Sequence, residues 1–261
     1  MDTGLASLKD ICSGSSGVEN SDSEKYLGDI ICKDGKNKKN IEARKGRGLG
    51  IKNQIMDMLN DVCFGPFNFE VALIFRSSLL TSSILTNSEA WLGLTDAEIE
   101  QLEQVDESLL RKVLEVGQGC PKEMLYLELG CTPIRFIIMM RRVMFFQYIM
   151  NEDPQCLIQR VLKAQLEKPS KNDFILSVEK TLEELDIHLS HEDLMNTSTE
   201  SLHKFVKQQV EEQALAYLNM MKLKHSKVLH IRHESLKIQE YLMPENVKSI
   251  EMSKFLLGAE C

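Results

Sequence analysis

The residues best suited to chemistry in this sequence are basic side chains that cluster between positions 33 and 52. Eight of them stand against two acids in this stretch, which gives it a local net charge of +6 in a chain whose formal net charge is −8. The eight are Lys33, Lys36, Lys38, Lys39, Arg44, Lys45, Arg47 and Lys52. Basic side chains bind nucleic acids by neutralising phosphates and releasing condensed counterions. The stretch therefore predicts a phosphate-binding surface, with a solvated charged helix face as the alternative.

Histidine pairs are the candidates for a metal site. His188 with His191 and His230 with His233 both have the spacing H-x-x-H. Zinc sites need a third and a fourth ligand, usually cysteine, at short spacing. Since no cysteine lies near either pair, we predict no metal site and no cofactor.

Two further groups are weaker candidates. The segment 222–237 carries five basic residues and one acid, and an exposed helix end explains it at least as well as a binding surface. Glu123 and Glu128 could pass for a catalytic carboxylate pair, but their spacing of five residues places them on different faces of a helix. We predict that they are capping and surface groups, and we predict no catalytic residue in the chain.

Composition sets the class of protein. With 261 residues, 43% hydrophobic and 27% charged, the chain is predicted to be globular. Its seven cysteines are scattered and odd in number, which favours free thiols and an intracellular, non-secreted protein. The most apolar run, 134–150, is interrupted by arginines and is shorter than the ~20 apolar residues that span a bilayer. We predict a buried core helix there and no membrane partner.

Hydrophobic spacing predicts the elements that position the basic stretch. A strand over 25–33 is expected to close into a hairpin turn at Asp34-Gly35, a dipeptide that favours such turns. Helices are expected from there onward, with a kink or break where three glycines fall within 46–50 and with a capping box at Thr95. The predicted helical ranges are 40–62, 68–90, 95–116, a short one after Pro121, 133–150, 155–166, 174–187, 200–223 and 235–242.

These elements predict a mainly α fold. A short β-strand or hairpin near the N-terminus would precede a helical bundle, and a second helical array would follow. The predicted divisions are a disordered tail over 1–23, a first domain over 24–151 and a downstream helical region over 152–261.

Five segments, in order, resemble the region after the catalytic palm in reverse transcriptases of non-LTR (LINE-type) retrotransposons. EKYLGDII is similar to the primer-grip strand, and DGKNKKNIEARKGRGLGIKNQI is similar to the lysine-rich helix that opens the thumb. SSLLTSSILTNSEAWLGLTDAEIEQLEQVDESLLRKVLEV resembles the thumb helices, and GCPKEMLYLELGCTPIRFIIMMRR and KLKHSKVLHIRHESLKIQEYL resemble later segments. The resemblance implies a primer-grip turn at Tyr26, Leu27 and Gly28. It also implies that the basic stretch contacts a template–primer duplex.

The sequence departs from that family in its chemistry. A reverse transcriptase holds two metal ions on palm carboxylates that include an Asp-Asp pair, and this chain contains no Asp-Asp dipeptide. We therefore expect a non-catalytic fragment that binds an RNA–DNA hybrid or duplex weakly. The alternative is a helical adaptor with a protein partner at an exposed apolar surface, or a degenerate open reading frame. One continuous basic face over 33–52 would favour nucleic-acid binding, and interleaved acids would favour the adaptor.

Overall fold

A computed structural model describes residues 21–26, 28–62, 69–170, 173–224, 233–239 and 242. It shows a two-stranded hairpin followed by helices, so the prediction of a mainly α fold with a hairpin near the N-terminus is confirmed. The strands are β1 (Ser23–Tyr26) and β2 (Asp29–Cys32). The helices are α1 (Lys38–Val62), α2 (Phe69–Phe75), α3 (Ser82–Ile84), α4 (Asp96–Val113), α5 (Lys122–Leu129), α6 (Ile134–Met150), α7 (Leu157–Glu167), α8 (Phe174–Glu184), α9 (His191–Asn196) and α10 (Thr199–Lys222).

The hairpin turn lies earlier than predicted. β1 and β2 pair antiparallel with Tyr26 opposite Asp29, so the turn falls at residues 27–28, where Gly28 has a φ of +92°. Only glycine adopts that region without strain, which is why the single predicted strand divides there. The Asp34-Gly35 dipeptide does form a turn, but this turn connects β2 to α1 instead of joining two strands. The predicted tail also ends too late, because Ser23 belongs to β1; residues 1–20 lie outside the described residues.

Helix α1 continues through its glycines over 25 residues, so the expected break within 46–50 is wrong. Gly48 lies against the neighbouring helices: a Cβ there would come within 2.8 Å of Cγ2 of Ile84 and 2.9 Å of Cγ1 of Val105. The glycine therefore allows α1 to pack closely against α3 and α4. Its cost in helix propensity is offset by burial of this face.

The second predicted helix is interrupted and shorter than expected. A π-helical segment, Arg76–Thr81, lies between α2 and α3, and a short 3₁₀ turn, Ser88–Ala90, follows instead of a continuous helix to residue 90. Asn87 has a φ of +60° at this point, which ends regular helical geometry. The capping box at Thr95 is confirmed.

Most of the remaining helices begin where the sequence predicts, including α5 after Pro121 and α6 after Pro133. The expected helix over 235–242 is wrong, because residues 233–239 form no helix and Ile238 makes a β-bridge with Leu129. Sequence spacing also missed the short helix α9, which begins with a capping box between Ser190 and Asp193. None of the helices in the described part of the chain is long and apolar enough to cross a membrane.

Two apolar clusters form the core. The first gathers α1 to α5 and the start of α6, and the second gathers the rest of α6 with α7 to α10. Helix α10 contributes Leu218 to the first cluster and Val206 to the second. The clusters thus share two helices, and the domain boundary at residue 151 stays a prediction.

Candidate nucleic-acid interface

Four of the eight predicted cations line one concave surface, which we call the basic concavity. It is formed where β2 ends and α1 begins, and it encloses ≈ 480 Å³. Its lysines are Lys33, Lys36, Lys38 and Lys39, and Asp22, Cys32 and Asp34 complete the lining. The short connection between β2 and α1 is what brings these lysines together.

The lysines of the basic concavity are exposed and weakly engaged. Lys36, whose side chain is 77% exposed, lies 3.8 Å from the exposed carboxylate of Asp34, and such surface ion pairs contribute little energy. Lys39 donates a 3.1 Å hydrogen bond from Nζ to Oγ of Ser23. Lys33 and Lys38 form no ion pair with any described residue. All four ammonium groups are therefore free to turn toward a phosphate.

The start of α1 adds to the positive potential. The unpaired backbone N–H groups of a helix N-terminus carry a partial positive charge, and the first turn of α1 contains no acidic residue that would neutralise it. Lys38 and Lys39 occupy this turn. The four lysines outnumber the two aspartates of the lining, Asp22 and Asp34, so the net side-chain charge of the basic concavity has the same sign as the backbone charge.

Asp29 fixes the hairpin to the helices. Its Oδ1 accepts a 2.7 Å hydrogen bond from Nη2 of Arg44 and a 3.0 Å bond from Nδ2 of Asn40. Its Oδ2 accepts a 2.6 Å bond from Nδ2 of Asn87, and Nε1 of Trp91 lies 3.4 Å from Oδ1. We call this set of contacts the Asp29 clamp.

The Asp29 clamp holds an ionised carboxylate. Burial acts to raise the pKa of Asp29, but hydrogen bonds from Arg44, Asn87 and Asn40 outweigh it and keep the pKa below the ordinary value for Asp. The charged form is thus the stable form in the folded protein. The hairpin, with the basic concavity beside it, is positioned by this charge.

The prediction that Arg44 contacts phosphate needs correction. Its side chain is only 1% exposed, it pairs with Asp29, and its Nη1 donates a 2.9 Å hydrogen bond to the carbonyl of Ser83. The guanidinium also lies 5.9 Å from the centre of the Trp91 ring. A cation enclosed in this way connects the hairpin, α1 and α3, and it cannot reach a ligand in solvent.

The other three cations of α1 lie outside the basic concavity. Lys45 and Lys52 are half-buried, and Nζ of Lys45 lies 3.4 Å from Oε1 of Gln104 on the acidic helix α4. Arg47 is exposed, but nine residues after Lys38 it points to about the opposite side of the helix. The eight cations therefore do not form the one continuous face that would favour nucleic-acid binding by the whole stretch, and the nucleic-acid interpretation rests on the four lysines of the basic concavity alone.

The residues matched to the primer grip lie at the hairpin. Tyr26 ends β1 and is 63% exposed, and Gly28 provides the turn. Leu27 lies outside the described residues. The exposed ring of Tyr26 is available to a partner, and its role in binding stays a prediction.

The carboxylates at 123 and 128 are not surface groups, which corrects that prediction. Both are buried on α5, and Oε1 of Glu128 lies 3.2 Å from Nε2 of His233. This contact attaches residues 233–239 to α5, together with a 3.0 Å hydrogen bond from the backbone N–H of Gln239 to the carbonyl of Glu128. His233 is therefore engaged with a carboxylate, and His230 lies outside the described residues.

The other histidine pair does not converge on one point. His188 lies 3.0 Å from Asp186 in an exposed contact, whereas His191 packs against the ring of Phe146. Within the described residues, no group of three or more His, Cys, Asp or Glu side chains could hold a metal ion.

Buried ion pairs in the core were missed by sequence reasoning. Arg76 makes a two-point contact with Asp106, with Nε–Oδ1 and Nη2–Oδ2 distances of 2.7 and 2.6 Å. Arg135 also pairs with a largely buried carboxylate, since its Nε lies 3.0 Å from Oε1 of Glu103. The available signal was the presence of arginines in otherwise apolar helical stretches, since buried charges are almost always paired.

Comparisons of the chain with protein-family models, curated proteins and solved structures give no match. The resemblance to LINE-type reverse transcriptases therefore stays a prediction that rests on the sequence segments quoted above.

Proposed function

We propose that this chain is a non-catalytic, thumb-like unit derived from a LINE-type reverse transcriptase, and that it binds duplex or RNA–DNA hybrid phosphates at the basic concavity. The observation that carries the proposal is the convergence of Lys33, Lys36, Lys38 and Lys39 on one exposed surface at the start of α1. Arg44 takes no part in binding, because it is enclosed in the Asp29 clamp.

The expected binding is weak and sensitive to salt. Non-specific binding to nucleic acid typically has a Kd of about 10⁻⁴–10⁻⁶ M at physiological salt. The net charge of −8 opposes approach of a polyanion. The slope of log K against log salt is expected to be about −0.9 for each phosphate neutralised, and four lysines set its upper limit near four phosphates.

A pair of four-site variants tests the proposal. The first changes Lys33, Lys36, Lys38 and Lys39 to Gln; the control changes the exposed lysines Lys163, Lys168, Lys204 and Lys207 to Gln. Both lose the same charge. In fluorescence anisotropy with an RNA–DNA hybrid at 50 mM salt, the first variant should lose most binding and the control should keep it. Equal binding by the two variants, or none by the unmodified protein, excludes the basic concavity as a nucleic-acid site.

We also propose that the chain does not synthesise DNA, because its sequence lacks the Asp-Asp pair that the polymerase reaction requires. The test is nucleotide incorporation on a primed RNA template with Mg²⁺ or Mn²⁺. Incorporation that persists through purification to homogeneity would overturn this part of the proposal.

A helical protein-interaction module is the second candidate function. Helix α7 favours it, because Leu157 and Val161 are 72% and 47% exposed beside an apolar groove formed with α6 and α8. Exposed apolar patches of this kind often mark interaction sites. If the nucleic-acid test fails, sedimentation velocity on the protein and its Leu157→Gln, Val161→Gln variant would show whether this face drives self-association.

A further inference from the structure

A second and larger cleft lies beside α6, apart from the basic concavity. It encloses ≈ 930 Å³ and is bounded by the start of α4 and by α6, α8 and α10. This volume is within the range of about 300–1,000 Å³ typical of small-molecule sites. No part of the proposed function uses this cleft.

One face of α6 forms the floor of the cleft. Arg135, Ile138, Met139 and Arg142 line it, and their spacing of three, four and seven residues places them on the same side of the helix. The two arginines are separated by about 10 Å along the helix axis, at 1.5 Å per residue. The apolar side chains of Ile138 and Met139 lie between them.

The cation at the first end of the floor is already neutralised. Arg135 pairs with Glu103 at 3.0 Å and lies 5.1 Å from the centre of the Tyr217 ring. The ammonium of Lys180, which also lines the cleft, pairs with Glu184 at 3.5 Å. The Arg135–Glu103 pair is largely buried, so Arg135 needs no further anion; Lys180 is exposed at the surface and its pair with Glu184 contributes little energy.

The cation at the other end makes no direct ion pair with any described residue. Arg142 donates from Nη1 to Oγ1 of Thr181 at 3.1 Å and from Nη2 to the carbonyl of Trp91 at 3.2 Å, and both acceptors are neutral. No carboxylate in the described residues lies within 4.0 Å of it, and its buried Nε has no hydrogen-bond partner. Glu184, which also lines the cleft, stabilises the charge of Arg142 only from beyond ion-pair distance. The largely buried guanidinium thus has no direct counter-ion, and an anion in the cleft could supply one.

The walls of the cleft are apolar where Arg135 lies. Phe136 and Tyr217 meet edge to face with ring centres 5.7 Å apart, and Met220, which is 55% exposed, extends this wall along α10. The floor of the cleft thus carries Arg142 at one end, the apolar side chains of Ile138 and Met139 in the middle and aromatic rings at the other end. The lining also includes polar and acidic groups, among them Asp96 and Glu184.

We propose that this cleft binds an apolar monocarboxylate with a body about 10 Å long. The carboxylate would pair with Arg142, and the alkyl or aryl body would cover Ile138 and Met139 and end against Phe136 and Tyr217. One free cation fits one negative charge, so a neutral or positively charged molecule of the same shape binds less well. The site does not depend on the nucleic-acid proposal, since it shares no residue with the basic concavity.

Isothermal titration with three ligands of equal length tests the charge requirement. Octanoate should bind to the full chain, octanol should bind at least about ten-fold more weakly, and octylamine should bind more weakly still. Octanol binding equal to that of octanoate would overturn the proposal, as would the absence of octanoate binding.

Two variants and one control variant test the position of the site. Arg142→Gln should reduce octanoate affinity about ten-fold and leave octanol unchanged. Ala216→Phe fills the cleft from an exposed position on α10 and should abolish binding of both ligands. Arg160→Gln on α7 removes one exposed arginine away from the cleft and should change neither. If the far-UV circular dichroism of Arg142→Gln shows that this variant does not fold, the octanoate affinity of Ala216→Phe becomes the test of the site. Unchanged octanoate binding by Ala216→Phe would overturn the assignment.

Discussion

The carboxylate of Asp29 and the guanidinium of Arg44 meet at 2.7 Å between the hairpin and α1. Arg44 is almost fully enclosed and Asp29 keeps 16% of its side chain exposed. Asp29→Asn removes the charge and leaves a buried guanidinium without a counter-ion. Breaking a buried ion pair costs about 3–5 kcal/mol, and the partial exposure of Asp29 reduces the expected loss to about 2–3 kcal/mol in urea unfolding.

The exposed pair of Lys36 and Asp34 provides the control. Its Asp34→Asn variant should change the free energy of unfolding by less than about 1 kcal/mol, because surface ion pairs contribute little. Similar losses for the two variants would show that the Asp29 clamp is no stronger than a surface contact.

The Asp29 clamp also predicts a pH dependence. Since the pKa of Asp29 is lowered in the folded protein, its stabilising contribution is complete above the unfolded-state value of about 3.9 and is lost as pH falls through the lower, folded value. Asp29→Asn should therefore be destabilised relative to the unmodified protein at pH 7, and the difference should shrink toward pH 3. A constant difference between pH 7 and pH 3 would contradict this assignment.

Two glycines of α1 predict opposite effects. Gly46 has open space where a Cβ would lie, so Gly46→Ala should stabilise the protein by about 0.5–1 kcal/mol through helix propensity. Gly48 lies against Ile84 and Val105, whose branched side chains turn little. Overpacking costs about 1–3 kcal/mol, so Gly48→Ala should destabilise. Thermal unfolding of both variants measures these effects. Equal stabilisation by the two substitutions would show that Gly48 does not pack closely against α3 and α4.

Sequence patterns predicted the parts of the fold that depend on local chemistry. Thr95 with Glu98 marks the start of α4, and Pro133 marks the start of α6, because capping and proline geometry act within a few residues. The expected break in α1 is wrong because the cost of its glycines is local, whereas the close packing that Gly48 allows against α3 and α4 stabilises the helix from outside it. Tertiary contacts override propensity at such positions.

The candidate site was predicted only in part for the same reason. The sequence identifies eight cations but does not show which are exposed. Arg44 is buried, whereas Lys36 and Lys38 are exposed, and nothing in the sequence distinguishes the three. No sequence pattern indicates the role of Asp29, because its partners are 11, 15 and 58 residues away in sequence. Long-range contacts of this kind leave no periodic pattern.

A raised carboxyl pKa predicts a second pH effect. Burial raises the pKa of Glu107 to about 7, although Lys122 acts to lower it. At a pH between the ordinary pKa of a glutamate and about 7, Glu107 is protonated in the folded protein but ionised in the unfolded chain. The free energy of unfolding should therefore fall as pH rises toward 7. Glu107→Gln should be about 1–2 kcal/mol more stable than the unmodified protein at pH 8 and equal to it near pH 4. Parallel stability curves from pH 4 to 8 would contradict the prediction.

Gly130 and Gly93 provide a matched test of how residues 233–239 attach to α5. Both have a φ of +61°, but a Cβ at Gly93 meets nothing within 4 Å, whereas one at Gly130 would overlap the backbone of Lys237. Alanine at either position carries the strain of a left-handed conformation, about 1 kcal/mol. Only Gly130→Ala also displaces the segment that holds His233 against Glu128.

Hydrogen exchange at the amide of Gln239, which bonds to Glu128, should therefore become much faster in Gly130→Ala and stay unchanged in Gly93→Ala. Equal exchange in both variants would show that the segment does not depend on close approach at Gly130.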